Sequence, residues 1–528
     1  MNDFNILDLP DEILLMIFNK LNTIDVFRLV QYVNRRFYEL SLDGCQVQDM
    51  QMTTVMGVDT HYKQISPIDT NLPRICRNIL PKIHDKVQKL TVDQSSMIPV
   101  LHAADYPQLY SLTIIDIEEE FLHDCLSNNI VLRDLLIKQI TNLNIDIKCR
   151  TPLAITGFQI FELIICLCEN LTTFNFGDML FSRERAVGFP TIQSRSYSHS
   201  ALVELRMKIE TFFDLVYLLD GRFPCLSTLI VHVYDHSGPT NLDGIKQLST
   251  LKYFSLCGSL YIPTPLYDPL IVPLLSGMIN LEKLQLCLRV VRLNSNYIDG
   301  SQLYDQFLCS MTKLKRFTFD IKTIVRNQNV DIALSSNEQI QRSFVGKFDQ
   351  QVFSYINSNS SKLTGVCRIC SLPYDFRYFF NVNNYFQGGR FEKVRQLRMK
   401  DSIGFTYELF QRVAQGFPFL KYLYIINMSA MKNKPPGSLL LTFPYLTYLD
   451  IDRAHDDYIL LFLLKKHAFL PRLSYLSIEK KPLKTITNDF TIDSTDFNFS
   501  ELKTLIVGRS FVPPANFHVY FPILVMYE

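Results

Sequence analysis

The apolar positions of residues 9–40 recur with a helical period. Ile13, Ile17 and Leu21 lie four apart, with Leu14 and Phe18 beside them. This spacing predicts an amphipathic helix of about three turns. Pro10 suits its first turn, where a missing N–H costs nothing, and Asp11 and Glu12 favour the positive end of the helix dipole. Asn22-Thr23 breaks the pattern. Thr23 or Asp25 can cap a second helix carrying Val26, Leu29, Val30 and Val33, and Asn34 a third carrying Phe37 and Leu40. Three helices this short cannot bury all of their apolar surface against one another. Part of it must face a partner or the rest of the chain.

From residue 87 a different pattern takes over. An aliphatic residue, two others, Leu or Phe, one other, then an aliphatic or Phe recurs to the end of the chain. It begins as Val87-Leu90-Val92, Leu109-Leu112-Ile114, Leu132-Leu135-Ile137 and Leu171-Phe174-Phe176, and ends as Leu473-Leu476-Ile478 and Leu502-Leu505-Val507. In eight of the thirteen gaps, successive phrases lie 22 to 29 residues apart. Pro often precedes the phrase at a fixed offset, as in Tyr106-Pro107, Phe223-Pro224, Phe417-Pro418, Phe443-Pro444 and Leu470-Pro471. There it ends a helix and leads into a strand. Helical patterns fill the intervals, most clearly at Thr211 to Leu219, Gln302 to Met311, Tyr407 to Ala414 and Asp457 to Leu464. One strand and one helix per unit bury their apolar faces only by stacking on neighbours.

The predicted organisation is a helical domain at 1–45, a weakly patterned connector at 46–80, and a repeat array over 81–528. Two stretches break the period. Residues 182–200 are polar and read as a loop. Residues 322–390 hold no clean phrase and read as an irregular insertion of strands, with Ser343 to Tyr355 and Val366 to Phe380 as its apolar parts. Phe521-Pro522-Ile523-Leu524-Val525 starts like a last strand over the open end of the core.

With 47% of its 528 residues in AVILMFWYC, the chain has ample material for a core, which excludes wholesale disorder. Lys plus Arg is 53 and Asp plus Glu is 52, so no global field draws it to nucleic acid or anionic lipid. No apolar run is long enough to span a bilayer, and the acidic opening MNDFNILDLPDE does not read as a signal peptide. The expectation is a cytoplasmic or nuclear protein with its 12 Cys reduced, and with neither membrane nor nucleic acid as a partner.

The order Leu9-Pro10-x-Glu12-Ile13-Leu14-x-x-Ile17-Phe18-x-x-Leu21, then Asp25-x-x-x-Leu29, then Val33-x-Arg35-Arg36-Phe37, closely resembles the F-box, with no insertion. F-box proteins dock on the Skp1 adaptor and so join a cullin-based ubiquitin ligase. The resemblance implies that Leu9, Pro10, Ile13, Ile17, Leu29 and Val33 contribute to the Skp1-binding surface, while Leu14, Phe18, Leu21, Val30 and Phe37 pack the domain. The later array resembles leucine-rich repeats, whose period is about 20 to 29 residues. Its Asn ladder is mostly absent, since Ser259, Arg289, Ala454, Lys481 and Ser510 stand where Asn or Cys is usual. The whole resembles the F-box/leucine-rich-repeat class. The implied fold is α/β, a three-helix F-box followed by an irregular solenoid with parallel strands concave and helices convex. The implied role is substrate receptor of a Skp1–cullin–F-box ligase, with an unknown protein substrate on the repeats. A repeat scaffold without ligase output is the alternative.

Candidate chemistry adds little to this. There is no Gly-rich phosphate loop, HExxH or nucleophile elbow. Cys367 and Cys370 form a lone C-x-x-C without a second pair and read as buried, reduced thiols. Cys166 and Cys168 read as core. His232, Asp235 and His236 follow a phrase and read as a solvated loop. The implied receptor is not an enzyme, and neither a cofactor nor a metal is expected. The variable phrase positions hold a row of tyrosines, Tyr110, Tyr253, Tyr422, Tyr448 and Tyr475, which forms the candidate substrate surface.

Overall fold

The computed structural model describes residues 6–18, 26–27, 35–43, 47–53, 68–147, 154–177, 186–189, 199–235, 237–239, 245, 250–258, 264–327, 332–347, 351–358, 364–433, 440–507, 513–514 and 516–522. Every phrase but one falls on a strand, with most of its apolar positions buried in the core, although Leu314, Leu505 and Val507 are half-buried. The chain divides into two units, Met1–Val290 with Asp305–Phe317, and Val291–Tyr304 with Thr318–Glu528.

The first unit opens with helix α1 (Asp11–Phe18) and helix α2 (Arg35–Asp43). Val26 and Phe27 between them are helical and buried. Then come the parallel strands β1 (Asp49–Met52), β2 (Lys89–Asp93), β3 (Ser111–Ile117), β4 (Asn142–Ile147), β5 (Thr173–Phe176), β6 (Glu204–Ile209), β7 (Thr228–Val233), β8 (Tyr253–Cys257) and β9 (Lys283–Leu293). Each pairs in parallel with the next in sequence, and the core leucines stay in register: Leu90 with Leu112, Leu112 with Leu143, Leu205 with Leu229. Register holds because a slip of one residue would turn every apolar side chain to solvent.

The stretch read as a connector contains β1, whose Met50 and Met52 are buried and pair with Leu90 and Val92. The sheet therefore starts before residue 81. The phrase Leu132-Leu135-Ile137 is a helix, Ile130–Lys138, and not a strand. Asn129 caps it by accepting from the Leu132 N–H at 2.9 Å. Leu132 and Leu136 are buried at helical spacing, while Ile137 is 40% exposed. The strand of that repeat follows, as Leu143 and Ile145.

Within 182–200, Val187 bridges to Ile209, and Phe189 packs its ring on Phe158, Phe161 and Tyr217. This part of the expected loop closes over the core. Cys168 is buried as expected, but Cys166 is exposed, because the helix Ala154–Leu167 turns it outward. His232 lies within β7 and not after it, and His236 lies outside the described residues.

The second unit takes in Val291–Tyr304, β10 (Arg316–Arg326) from Thr318 on, β11 (Val352–Ser358) and β12 (Thr364–Ser371). Here β12 runs antiparallel to both β10 and β11. The insertion at 322–390 thus contains an antiparallel hairpin. Its Cys367 and Cys370 are buried, and burial pushes both thiols up, Cys367 to about 12. Parallel order then resumes through β13 (Tyr378–Val382), β14 (Gln396–Lys400), β15 (Tyr422–Asn427), β16 (Leu441–Thr442), β17 (Tyr448–Ala454), β18 (Ala468–Phe469), β19 (Tyr475–Ser477) and β20 (Thr504–Ile506). The main sheet runs β13-β14-β15-β17-β19-β20, and β16 pairs with β18. Residues 523–525, read as a last strand, lie outside the described residues.

The helical intervals are helices in both units, although the one expected at Gln302 to Met311 is α-helical only to Gln306 and goes on as a single 3-10 turn, Leu308–Ser310. Thr211 caps Phe212–Leu218 in a reciprocal box with Asp214, and Thr406 caps Tyr407–Gly416. Each recurring Pro sits in a turn at the strand entry. The residue before it is buried and accepts from the residue two places after the Pro, as in Leu226 N–H to Phe223 O at 3.1 Å and Leu420 N–H to Phe417 O at 3.2 Å. Pro at the second position of such a turn has its φ preset. Stacked repeats of this kind form a mixed α/β, parallel-rich sheet consistent with a solenoid.

Candidate protein-docking surfaces

The N-terminal helices enclose a small core of Leu14, Phe18, Val26 and Phe37, with Leu9, Tyr38 and Leu40 packed against it. Phe18 and Phe37 meet edge to face at 5.5 Å. Arg36 straps the segment before α1 to α2. Its Nε donates to Asp11 Oδ1 at 2.7 Å, Nη1 to the Leu7 carbonyl at 2.8 Å and Nη2 to the Leu9 carbonyl at 2.7 Å. Lys82 anchors this module to the repeats, donating to the Tyr38 hydroxyl at 2.9 Å with its ammonium 5.3 Å from the ring centre.

With the core satisfied, an apolar edge remains outside. Ile6 is 50% exposed, Leu7 37%, Ile13 40% and Met16 63%. Pro10 is exposed, Ile17 is half-buried, and Leu9 is half-buried against the core. Leu29 and Val33, expected on the docking surface, and Leu21 and Val30, expected in the core, lie outside the described residues. Sequence reasoning missed Ile6, Leu7 and Met16. The helical period set by Ile13 and Ile17 carries Met16 to the same side of α1.

Residues 6–47 match the F-box-like family model. The F-box-like domain therefore comprises α1, α2 and the segment between them, and it ends just before β1 opens the repeat sheet. No curated protein matches the chain. Among solved structures, the chain is similar to one in the yeast Rad7 and Elc1 complex, at 11% identity and a TM-score of 0.27, over 89% of this chain and 88% of that one.

Outside the F-box-like domain, the sheets bury one set of alternate side chains and present the other. On the first unit the presented row reads Thr91, Thr113, Asn144, Asn175 and Arg206, in which the Asn144 amide donates to Thr113 at 3.2 Å and Arg206 pairs with Glu204 at 2.5 Å. Tyr253 belongs here, and its hydroxyl donates to Gln285 Oε1 at 2.8 Å. Tyr110 does not join it. It stands one residue before β3, 39% exposed, because it occupies the first variable position of its phrase and the other tyrosines the second.

On the second unit, Tyr422, Tyr448 and Tyr475 pair directly across β15, β17 and β19. Their ring centres are 5.9 and 6.4 Å apart, and Tyr424 adds a ring 5.4 Å from Tyr448. The structure thus brings together three of the five predicted tyrosines. It adds Tyr424, one alternation along β15, which the phrase itself could have supplied. Asp450 lies in register with Tyr424, and burial raises its carboxyl above the ordinary range even though Arg398 and Arg453 oppose the shift. Where β17 and β19 end, a cavity of about 810 Å³ is lined by Asp452, Glu479, Lys480, Lys481 and Lys484 among others. Its charges are mixed, and Lys484 pairs with Asp489 at 3.3 Å. Among the described residues no group of His, Cys, Asp and Glu is placed to hold a metal ion, and no helix is long and apolar enough to cross a membrane.

Proposed function

We propose that this protein is the substrate-recognition subunit of a Skp1–cullin–F-box ubiquitin ligase. The F-box-like domain docks a Skp1-like adaptor, and the leucine-rich-repeat-like array holds a protein substrate. The observation that carries this reading is the F-box-like match over residues 6–47, coincident with an apolar edge left exposed after the domain's own core is filled. Ile6, Leu7, Pro10, Ile13 and Met16 supply the edge, and Arg36 holds the residues before α1 in one conformation, so little ordering is left to do on binding. The protein acts as an adaptor in the cytoplasm or nucleus and makes no bonds itself. Its contribution is proximity, bringing substrate to the ligase's catalytic subunits.

Reconstitution tests this. The full chain, mixed with purified Skp1, a cullin and its RING subunit, elutes as one complex from a sizing column. A folded chain that elutes apart from Skp1 would leave a repeat scaffold without ligase output.

A further inference from the structure

On the second unit, two ladders lie three residues apart in successive repeats. The inner one is Tyr422, Tyr448 and Tyr475. The outer one sits at the strand entries, as Phe419, Tyr445 and Arg472. Phe419 and Tyr445, each 37% exposed, pack with their tilted rings 5.4 Å apart. A guanidinium covers each end, with Arg395 5.2 Å from the Phe419 ring centre and Arg472 5.1 Å from that of Tyr445. Between the ladders runs a backbone row, Arg377, Arg395, Lys421, Thr447, Ser474 and Lys503. Each N–H donates to the carbonyl before it, at 2.6 to 3.0 Å. That row holds four cations and two hydroxyl side chains, and no carboxylate.

The nearby acids do not cancel this charge. Glu392 is paired with Arg390 at 2.8 Å and Asp375 with Lys393 at 2.5 Å. Asp450 is partly buried, and Glu501 stands alone at the far end of the outer ladder. The same backbone row of the first unit, from Gln88 through Tyr110, Thr141 and Val203 to Glu282, holds a single cation, Lys252, whose ammonium lies 3.9 Å from the Glu282 carboxylate. The second unit's row carries four cations against this one.

We propose that this strip docks an extended, acidic segment of a protein partner that carries aromatic or large apolar side chains. Carboxylates pair with the cation row, and rings pack against surfaces already lined by guanidinium and tyrosine. Tyr and Arg give such contacts at low entropic cost and dominate the energetics of interfaces. A single-stranded nucleic acid fits less well. Its bases need rings standing apart as stacking platforms, whereas these rings pack against one another at 5.4 to 6.4 Å, and Asp450 stands among them. The strip is the substrate-facing part of the receptor role proposed above and rests on that reading.

The test uses the full chain, without adaptor, and three fluorescein-labelled probes. One is an unstructured peptide alternating Glu or Asp with Tyr, Phe and Leu, the second replaces its acids by Lys, and the third is oligo-dT. The acidic peptide binds, and binding weakens as salt rises. Arg395→Glu/Arg472→Glu and, separately, the exposed pair Lys421→Glu/Lys503→Glu each lower affinity by about tenfold or more while the melting temperature holds. Equal binding of the Lys peptide, preference for oligo-dT, no binding of any probe, or indifference to both charge reversals would each overturn the proposal. Skp1 binding is measured on the same variants. If it persists while peptide binding fails, the strip alone is wrong. If it is absent from the unmodified chain, the receptor role fails instead.

Discussion

Arg36 is bound to Asp11 across the N-terminal domain, Nε to Oδ1 at 2.7 Å, and the same guanidinium holds the Leu7 and Leu9 carbonyls. One side chain thereby fixes both ends of the segment that precedes α1. The ion pair itself is half exposed and worth little. The carbonyl contacts carry most of the effect, as charge-assisted hydrogen bonds. Arg36→Ala should cost about 1–2 kcal/mol of local stability. Amide exchange should speed up over residues 7–18 and remain unchanged over β14 to β19. Asp11→Ala, which leaves both carbonyl contacts in place, should do less.

A second guanidinium governs the core of the second unit. Arg368 is almost fully buried on β12 and forms a fork with Asp320, Nε to Oδ1 at 2.7 Å and Nη2 to Oδ2 at 2.5 Å. Its Nη1 donates to the Phe380 carbonyl, and the guanidinium lies 3.7 Å from the Phe379 ring centre. Tyr374 donates its hydroxyl to Asp320 at 2.6 Å. Removing one partner strands a buried charge, so Asp320→Ala or Arg368→Met should cost about 3–5 kcal/mol. The double variant should cost less than the sum of the two. Thermal melts of the three variants measure this coupling, and additive losses would contradict it.

Asp450 predicts a pH dependence. Its folded pKa is raised, by burial first, so the folded state binds its proton more tightly than the unfolded chain does. This group's contribution to stability is therefore greatest at acid pH. It is lost as pH climbs from the ordinary aspartate range through the raised folded value. Asp450→Asn keeps the acceptor for the Asp452 N–H, now at 3.1 Å. It should raise the melting temperature at neutral pH relative to the unmodified chain and not at acid pH. Removing a carboxylate from the tyrosine ladder should also strengthen binding of the acidic peptide.

Much of this architecture is legible in the sequence because burial and periodicity coincide. The L-x-x-L-x-L positions mark the strands, and the helical intervals at Tyr407–Gly416 and Asp456–Leu463 fall where the pattern places them. The failures have local causes. Leu132-Leu135-Ile137 satisfies the phrase and a helical period alike, and the Asn129 cap decides for the helix. The strands β11 and β12 pair antiparallel, unlike the repeat strands, so the repeat rhythm cannot announce them. Tyr110 differs from Tyr422 by one place in its phrase, and a single place changes the side of a strand. Phe419 and Tyr445 follow the recurring Pro and precede the phrase, so a search confined to the phrase passes over them. In the N-terminal domain, Pro10 and Ile13 of the apolar edge are legible from the family pattern, whereas Ile6 and Leu7 precede α1, and the Arg36 strap is a contact across 25 residues that no local pattern encodes.

Docking of a Skp1-like adaptor through the exposed edge of the F-box-like domain is what the proposed function requires. The most direct measurement is calorimetric titration of purified Skp1 into the full chain and into Pro10→Ala/Ile13→Asp. Both positions are exposed, so the variant should melt like the unmodified chain. The unmodified chain should bind saturably, and the variant should lose about 3 kcal/mol or more, over a hundredfold in affinity. Equal affinity in the two, or no heat of binding from a folded unmodified chain, would contradict such docking.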